Sequence, residues 1–485
     1  MEMAMHQKSD VFKGIRPEAV WEIFARICAV PHTSGNESAL ADIIAADAEK
    51  RGFTVRRDTA GNIRIDRRNA DHRNALIMQA HLDMVPAAEA GKNFDFANCA
   101  VTPVVRGNRV VADGTTLGGD DGIGVAMALA AMNDVSLANA NISVLLTVQE
   151  ETGLVGANAL APDFLAGRGL INLDSGGQGV FQVGCAGGIR TVITVRADEK
   201  IPSPGRGVKV CVSGLPGGHS GVDIDKGRPN AIILLSKVLE KTDFILSDCR
   251  GGSADNAIPA TAEFYGISLS APEIMQDKCD EISAELKKNY PADHDFKIVV
   301  EPCETVSAAL EKKLSRWLLC TLASAPDGVL EYDSAGKIVK TSSNIGQIFC
   351  RENEIVIVSS QRSFDDNCRQ KAVVAVQKHF SCTGVECFSH KAYPAWTPVD
   401  SFLRESACSV WQMMYGTEPR CEVIHAGLEC GVFAGKNPDL PMIAFFPDHG
   451  ELHSPAEYVD IESVGIVYDF LLNLLKKTAW AADRQ

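Results

Sequence analysis

The N-terminal part of the chain begins with two helical patterns. Four apolar residues recur at helical spacing: Val20, Ile23, Phe24 and Ile27. They predict a helix that ends before Pro31. Ser34 and Glu37 have the spacing of a capping box, so we expect a second helix to begin there and to stop at Gly52.

Three apolar runs of strand length follow, and each ends in polar residues. The first run, 75–80, leads to His81 and Asp83; the second, 142–148, leads to Glu150 and Glu151; the third, 169–173, leads to Asp174. Strands that alternate with helices indicate an open, largely parallel sheet. Ligands bind beyond the carboxyl ends of the strands in such sheets, and these polar residues fall there.

The pattern changes near Cys185 and changes back near Trp396. In between, strand-like segments alternate with amphipathic helical ones, which is typical of a smaller α+β domain inserted into the first. We therefore predict a discontinuous domain formed by 1–184 and 392–485, and an inserted domain at 185–391. The predicted fold class is α/β, with a mostly parallel sheet flanked by helices.

Composition excludes several classes of protein. A chain of 485 residues that is 46% hydrophobic can bury the cores of two domains. Its net charge of −15 argues against nucleic acid or an anionic membrane as partner. The 15 cysteines form no Cys-x-x-Cys pair, and neither a signal peptide nor a membrane span is recognisable. These features predict reduced thiols and a cytoplasmic protein.

Five residues are candidate metal ligands: His81, Asp120, Glu151, Asp174 and His453. Nitrogen and oxygen donors suit zinc, manganese or cobalt and disfavour copper or iron–sulfur sites. Five ligands exceed what one catalytic metal needs, whereas two ions that share a carboxylate and a bridging hydroxide would use them all. Asp83 is then expected to orient His81, and Glu150 is left to act as the general base.

Taken together, the motifs of this chain resemble those of the aminoacyl-histidine dipeptidases. This family belongs to the co-catalytic zinc peptidases, which also include carboxypeptidase G, peptidase T and the aminoacylases. The resemblance runs from about Trp21 to the C-terminal helix. It rests on seven segments: His81-Leu82-Asp83-Met84-Val85, Thr116-Leu117-Gly118-Gly119-Asp120, Glu150-Glu151, Asp174, Gly217-Gly218-His219-Ser220-Gly221, His425-Ala426-Gly427-Leu428-Glu429-Cys430-Gly431 and His453-Ser454-Pro455.

The resemblance implies a role for each metal-site residue. Asp120 would bridge two metal ions, most simply zinc. His81 and Asp174 would complete one site, and Glu151 and His453 the other. The peptide bond between Asp120 and Asp121 is expected to be cis.

The resemblance also implies a lid and dimerisation role for the inserted domain. His219 would stabilise the oxyanion in the active site of a partner subunit, so a homodimer is expected. Arg362, Asn256 and Gly427 would hold the terminal carboxylate of the substrate. His425 would either bind substrate or shape its loop.

Three functions remain open at this point. The first is a metal-dependent dipeptidase for short peptides with a free carboxylate, preferentially Xaa-His. The second is another hydrolase with the same centre: a tripeptidase, an N-acyl-amino-acid amidohydrolase or a carboxypeptidase. The third is a non-catalytic metal-binding protein, which the free carboxylate of Glu150 disfavours.

Overall fold

The computed structural model describes residues 10–67, 73–197, 200–290 and 295–479. The chain divides into two compact units. Unit 1 consists of Met1–Cys185, Trp396–Val423 and Leu428–Gln485, and unit 2 consists of Ala186–Ala395 and Ile424–Gly427. The first nine residues, where no signal peptide is predicted, lie outside the described residues.

The second boundary lies later than the predicted one at 391/392. Strand pairing explains this, because the strand that begins at Val385 continues to Tyr393 beside Gly188 in unit 2. Residues 424–427 also group with unit 2. They are tied to it by the bond from Ala186 N–H to the Ile424 carbonyl, 3.0 Å, and by the 2.8 Å contact between Ser342 Oγ and His425 Nε2.

The α-helices and strands are numbered in chain order. The α-helices are α1 (Glu18–Cys28), α2 (Ser38–Lys50), α3 (Gly119–Asn133), α4 (Val155–Ala159), α5 (Ala231–Leu239), α6 (Pro272–Leu286), α7 (Lys312–Ala323), α8 (Asp366–His379), α9 (Phe402–Tyr415), α10 (Glu429–Lys436) and α11 (Ile461–Thr478). The strands of the first segment are β1 (Thr54–Arg57), β2 (Ile63–Asp66), β3 (Leu76–His81), β4 (Pro103–Arg106), β5 (Arg109–Ala112), β6 (Ile142–Thr147), β7 (Gly169–Asn172) and β8 (Val180–Cys185). The strands of the second segment are β9 (Gly187–Arg196), β10 (Ile201–Pro202), β11 (Arg206–Ser213), β12 (Gly218–His219), β13 (Ile245–Gly251), β14 (Ala257–Ile258), β15 (Ala262–Ser268), β16 (Lys297–Pro302), β17 (Ala308–Ala309), β18 (Gly328–Tyr332), β19 (Val339–Arg351), β20 (Glu354–Ser363) and β21 (Val385–Tyr393). The last strands are β22 (Arg420–Ile424), β23 (Met442–Ala444), β24 (His449–Gly450) and β25 (Tyr458–Asp460).

Unit 1 is built on a sheet with the strand order β1-β2-β6-β3-β7-β23-β8-β22. Its centre, β6-β3-β7-β23, is parallel, and β1, β2 and β8 pair antiparallel with their neighbours. Helix α3 packs on β3 and β6, and α1 packs on α3. The side chains of β3, β6 and β7 are buried on both faces, as expected for covered parallel strands. The predicted α/β fold with a parallel core is confirmed.

Unit 2 is an α+β unit around an antiparallel sheet. The strand order is β16-β11-β15-β13-β19-β20-β9-β21, and β18 also pairs with β19. Its core lies between this sheet and α5, α6 and α7 and is dominated by Ile, Val, Leu and Phe. The pattern of apolar positions did not predict α7 or the long strand β19.

The capping-box prediction is wrong. Helix α2 begins at Ser38, and no side chain caps it. Ser34 Oγ instead donates to Asp83 Oδ2 at 2.7 Å, while Glu37 Oε1 accepts from the backbone N–H groups of Gly35 and Gln149. These two side chains therefore hold the loops that follow β3 and β6. Asp83 and the N–H of Gln149 are their partners in place of the N-terminus of α2.

Among the residues that the structure describes, no helix is both long enough and apolar enough to cross a membrane.

Candidate metal centre and active site

The predicted metal ligands converge because the strands that carry them are neighbours. His81 ends β3, Glu151 follows β6 and Asp174 follows β7, and these three strands are adjacent and parallel. Asp120 lies in the first turn of α3, where residues 120 and 121 depart from helical geometry and the peptide bond between them is cis, as the resemblance implied. His453 lies in the loop between β24 and β25.

Asp120 stands between two groups of potential ligands. Its Oδ1 lies 3.0 Å from His81 Nε2, which is 3.5 Å from Asp174 Oδ1. Its Oδ2 lies 3.4 Å from His453 Nε2, which is 2.9 Å from Glu151 Oε1. The two carboxylate oxygens of Asp120 therefore face opposite halves of the cluster, and all five predicted residues are brought together.

The electrostatics of the cluster indicate a lack of positive charge. Burial lowers the pKa of His81, but the nearby carboxylates of Asp174, Asp120 and Asp83 outweigh it and hold that pKa well above its usual value. Burial raises the pKa of Asp174 to about 7, and the repulsion of Asp120 and Glu151 adds to it. The cluster therefore concentrates negative charge that a bound cation would offset.

Divalent cations fit this donor set. Three groups of side chains offer ligand atoms that lie within 4.8 Å of one another: His81 with Asp121 and Asp174, His81 with Glu150 and Glu151, and Asp120 with Glu151 and His453. Every donor is an imidazole nitrogen or a carboxylate oxygen, the ligands that zinc and manganese share. Two positive ions would also relieve the repulsion that raises the pKa of Asp174.

Asp83 has a wider set of contacts than the predicted one. His81 Nδ1 lies 3.0 Å from the backbone carbonyl of Asp83 and 3.5 Å from its carboxylate Oδ1. The carboxylate accepts the N–H groups of Glu150 and Glu151 at 2.9 and 3.2 Å, and the hydroxyl of Ser34 at 2.7 Å. Asp83 therefore positions both the histidine and the loop that carries the two glutamates.

Glu150 differs from the other acids of the cluster in its contacts. No hydrogen bond or ion pair engages its carboxylate among the described residues. Its backbone is tied down, because the N–H donates to Asp83 and the carbonyl accepts the N–H groups of Gly153 and Leu154. Burial raises its pKa well above the usual value, with Glu151 as the next cause. The Glu150 carboxylate is therefore held close to the cluster without a partner of its own.

Two buried acids were missed by the sequence analysis. The Glu457 carboxylate accepts the backbone N–H groups of 117–120 at 2.8 to 3.2 Å, so it holds the loop that presents Asp120. Glu429 Oε2 accepts from Gln79 Nε2 at 2.5 Å and from Thr147 Oγ1 at 2.7 Å. For Glu429, the available signal was the presence of its polar partners, Gln79 and Thr147, inside otherwise apolar strands shortly before the ligands.

The other predicted residues lie in unit 2. His219 Nδ1 accepts from the N–H groups of Gly221 and Val222 at 3.2 and 3.3 Å, which leaves the ring proton on Nε2. Asn256 accepts the Ser220 N–H with its backbone carbonyl. His425 is buried, and burial together with Arg362 and His219 lowers its pKa to about 3.

Arg362 is a buried cation without an acidic partner. Its side chain lies on β20, it is only 8% exposed, and Nη1 donates to the hydroxyl of Tyr393 at 2.8 Å. Within the described residues it forms no ion pair, and its Nε has no hydrogen-bond partner. Gly427 lies against the same tyrosine, because a Cβ there would be 2.6 Å from the hydroxyl oxygen.

Comparisons with known proteins identify the family. The profile of Peptidase family M20/M25/M40 matches residues 77–477. The cytosol non-specific dipeptidase of Escherichia coli K12 is 35% identical over 481 residues, which is 96% of this chain and 98% of that protein. The crystal structure of aminoacylhistidine dipeptidase from Vibrio alginolyticus has a TM-score of 0.75 and 33% identity, covering 96% and 98% of the two chains.

A more distant structure shares the fold alone. Aminopeptidase PepT from Bacillus cereus has a TM-score of 0.60 and 17% identity over 96% of this chain and 99% of that one. The family profile spans most of the chain, and the E. coli relative exceeds 30% identity over nearly its whole length. This chain belongs to the Peptidase family M20/M25/M40.

Proposed function

We propose that this protein is a metal-dependent dipeptidase that hydrolyses short peptides with a free C-terminal carboxylate. The observation that carries the proposal is the position of Asp120 between two histidine–carboxylate pairs, with the unengaged carboxylate of Glu150 beside them. A protein that only stored or sensed metal would gain nothing from an unpaired base held at the centre.

Two divalent ions would be held by the five clustered side chains. Asp120 would be shared, His81 and Asp174 would serve one ion, and Glu151 and His453 the other. When bound, such ions polarise a carbonyl group and lower the pKa of water, and zinc is the ion that we favour.

The protein groups move the proton. Glu150 would accept a proton from the attacking water and deliver it to the nitrogen of the leaving amine, which is general acid–base catalysis by one residue. The bonds from the Glu150 and Glu151 N–H groups to Asp83 support this role, because they hold the base and its neighbour in fixed positions.

Arg362 would bind the terminal carboxylate of the substrate. A guanidinium suits this task because its N–H groups can pair with both carboxylate oxygens. Asn256, His425 and Gly427 would line the same subsite. His219 would donate from Nε2 to the developing oxyanion, and we propose that it does so in a partner subunit of a homodimer.

The substrate class that we favour is Xaa-His, as the resemblance implies. The E. coli relative is named a non-specific dipeptidase and the Vibrio relative an aminoacylhistidine dipeptidase, so the breadth of specificity is the quantity to measure. We also propose a cytoplasmic location, by analogy with the E. coli relative named as cytosolic.

The experiment is hydrolysis of a substrate panel by the zinc- or manganese-loaded protein, with and without chelator. The panel contains β-Ala-His, Gly-His, Ala-Leu, a tripeptide and N-acetyl-methionine. We expect chelator-sensitive cleavage of the dipeptides, with the histidine dipeptides fastest. Preference for the tripeptide or the acetylated amino acid would move the protein to another activity of the same centre, and no cleavage by metal-replete protein would refute the proposal.

Two neighbouring variants separate the base from a ligand. Glu150→Gln should retain metal and fold while kcat falls by at least about 100-fold, because the proton acceptor is lost. Glu151→Gln should instead lose metal, measured by elemental analysis after dialysis. Activity near wild type in Glu150→Gln would remove this residue from the role of base.

A further inference from the structure

Four residues of unit 2 lie side by side across four neighbouring strands. In the strand register, Ser342 of β19 pairs with Arg362 of β20, Arg362 pairs with Gly188 of β9, and Gly188 pairs with Tyr393 of β21. Directly opposed residues of antiparallel strands point to the same face of the sheet. We refer to this row as the Arg362 rung.

Glycine is required at the centre of this rung. The hydroxyl and ring of Tyr393 occupy the space into which a Cβ on Gly188 would project. The phenol therefore lies across the strand of Gly188 and reaches Arg362 on the strand beyond it, where Nη1 donates to the hydroxyl at 2.8 Å. Any larger residue at 188 would separate the tyrosine from the arginine.

The loop 424–427 covers the same rung at both ends. His425 Nε2 lies 2.8 Å from Ser342 Oγ, and a Cβ on Gly427 would be 2.6 Å from the hydroxyl oxygen of Tyr393. Arg362 Nε is buried without a hydrogen-bond partner among the described residues. A buried polar atom usually finds a partner, so Arg362 is suited to bind a polar ligand.

The position of Tyr393 is itself fixed by a second arginine. Arg369 Nη1 donates to the backbone carbonyl of Tyr393 at 2.5 Å and lies 2.9 Å from the carboxylate of Asp366. The tyrosine is thus anchored through its backbone, its ring lies against Gly188 and Gly427, and its hydroxyl accepts from Arg362. Arg362 has a long, flexible side chain. Because Tyr393 fixes it in advance, it loses less entropy when it binds an anion.

We propose that Tyr393 is the positioning residue of the carboxylate subsite: it holds the Arg362 guanidinium in the orientation that receives the C-terminal carboxylate of the peptide. This inference rests on the proposed function, since it assumes that Arg362 binds that carboxylate. Tyr393 acts through Arg362 and touches neither the scissile bond nor the metal ligands in this role.

The test is steady-state kinetics of Tyr393→Phe on a dipeptide and on its C-terminal amide, for example Ala-Leu and Ala-leucinamide. Phenylalanine keeps the ring over Gly188 and removes only the hydroxyl. We expect KM for the free acid to rise about tenfold, because a guanidinium that is no longer held in place must be ordered when it binds the carboxylate, with kcat nearly unchanged. KM for the amide should stay at its wild-type value.

Three further variants sharpen the result. Tyr265→Phe is the matched control, because its hydroxyl donates to Glu263 on another strand of the same sheet, and its KM should not change. Gly188→Ala, which leaves Tyr393 intact but displaces its ring, should raise KM for the free acid in the same way. In an Arg362→Met background, Tyr393→Phe should have no additional effect.

The outcomes separate this inference from the proposed function. An unchanged KM for the free acid in Tyr393→Phe, or an equal rise for acid and amide, would overturn the positioning role. If Arg362→Met kept the wild-type preference for the acid over the amide, the carboxylate role of Arg362 would be wrong and the inference would fall with it. Wild-type protein that cleaved no dipeptide would refute the proposed function instead.

Discussion

Substitution of Gly124 tests how closely α3 packs against the end of β7, which leads to the predicted metal ligand Asp174. Glycine in a helix interior usually costs about 1 kcal/mol relative to alanine, so Gly→Ala substitutions there tend to stabilise. At Gly124, however, a Cβ would overlap the Oδ1 atom of Asp121 and the backbone carbonyl oxygen of Leu173. Leu173 directly precedes the predicted ligand Asp174, and its carbonyl is backbone that cannot rotate away.

The expected magnitude follows from these two opposed effects. Overpacking of a tight core costs typically about 1–3 kcal/mol against a helix gain of about 1 kcal/mol, so Gly124→Ala should destabilise by up to about 2 kcal/mol. Gly465→Ala in α11 is the matched control, because the nearest atoms to its Cβ are 3.8 and 4.0 Å away. That variant should stabilise by about 0.5–1 kcal/mol.

Urea unfolding of metal-free protein measures both changes, and removing the metal prevents ligand binding from masking them. Metal affinity, measured by chelator competition, should fall in Gly124→Ala only, since the shift of Leu173 moves Asp174. If Gly124→Ala were as stable as Gly465→Ala and bound metal like wild type, the close fit between α3 and the end of β7 would be refuted.

Two other predictions concern unit 2. The pKa of His425 is lowered to about 3, mainly by burial and then by Arg362 and His219, so the folded protein keeps it neutral while the unfolded chain binds a proton below about pH 6.5. Stability should therefore fall as the pH drops from 6.5 towards 4. The urea midpoint of His425→Gln should fall less steeply over this range than that of the wild type, and equal slopes for the two proteins would contradict the lowered pKa. Mixed Glu150→Gln and His219→Ala subunits should recover some activity through hybrid dimers, and no recovery despite proven subunit exchange would count against a role across the interface.

Periodicity and strand ends were sufficient to predict the core of unit 1. The apolar runs of β3, β6 and β7 are long enough to be recognised, and parallel strands place the residues that follow them at one edge. The convergence of His81, Glu151 and Asp174 could thus be expected without any structure. Asp120 and His453 are different, because they come from a helix start and a loop, and their inclusion depended on the whole pattern of motifs.

The failure at Ser34 and Glu37 shows what local patterns lack. Their spacing is that of a capping box, yet their partners are Asp83 and the N–H of Gln149, far away in the chain. The same holds for Glu457, which accepts four N–H groups of the Asp120 loop from a position more than 300 residues later. A polar residue near an active-site segment can satisfy a distant loop as readily as a nearby helix end, and only the tertiary fold decides between them.

Polar residues inside buried strands indicate the position of the site more reliably than local spacing patterns such as a capping box. Gln79, Thr147 and Asn172 are fully buried within the strands that lead to His81, Glu150 and Asp174. Burying such groups costs free energy unless they are bonded to one another, and in this sheet Asn172 donates to Gln79, while Gln79 and Thr147 both donate to Glu429. The network therefore links the three strand ends that precede the metal ligands to Glu429 at the start of α10. Strands with apolar residues at these three positions would be easier to stabilise. The need to hold the ligands in place therefore explains why polar residues are present.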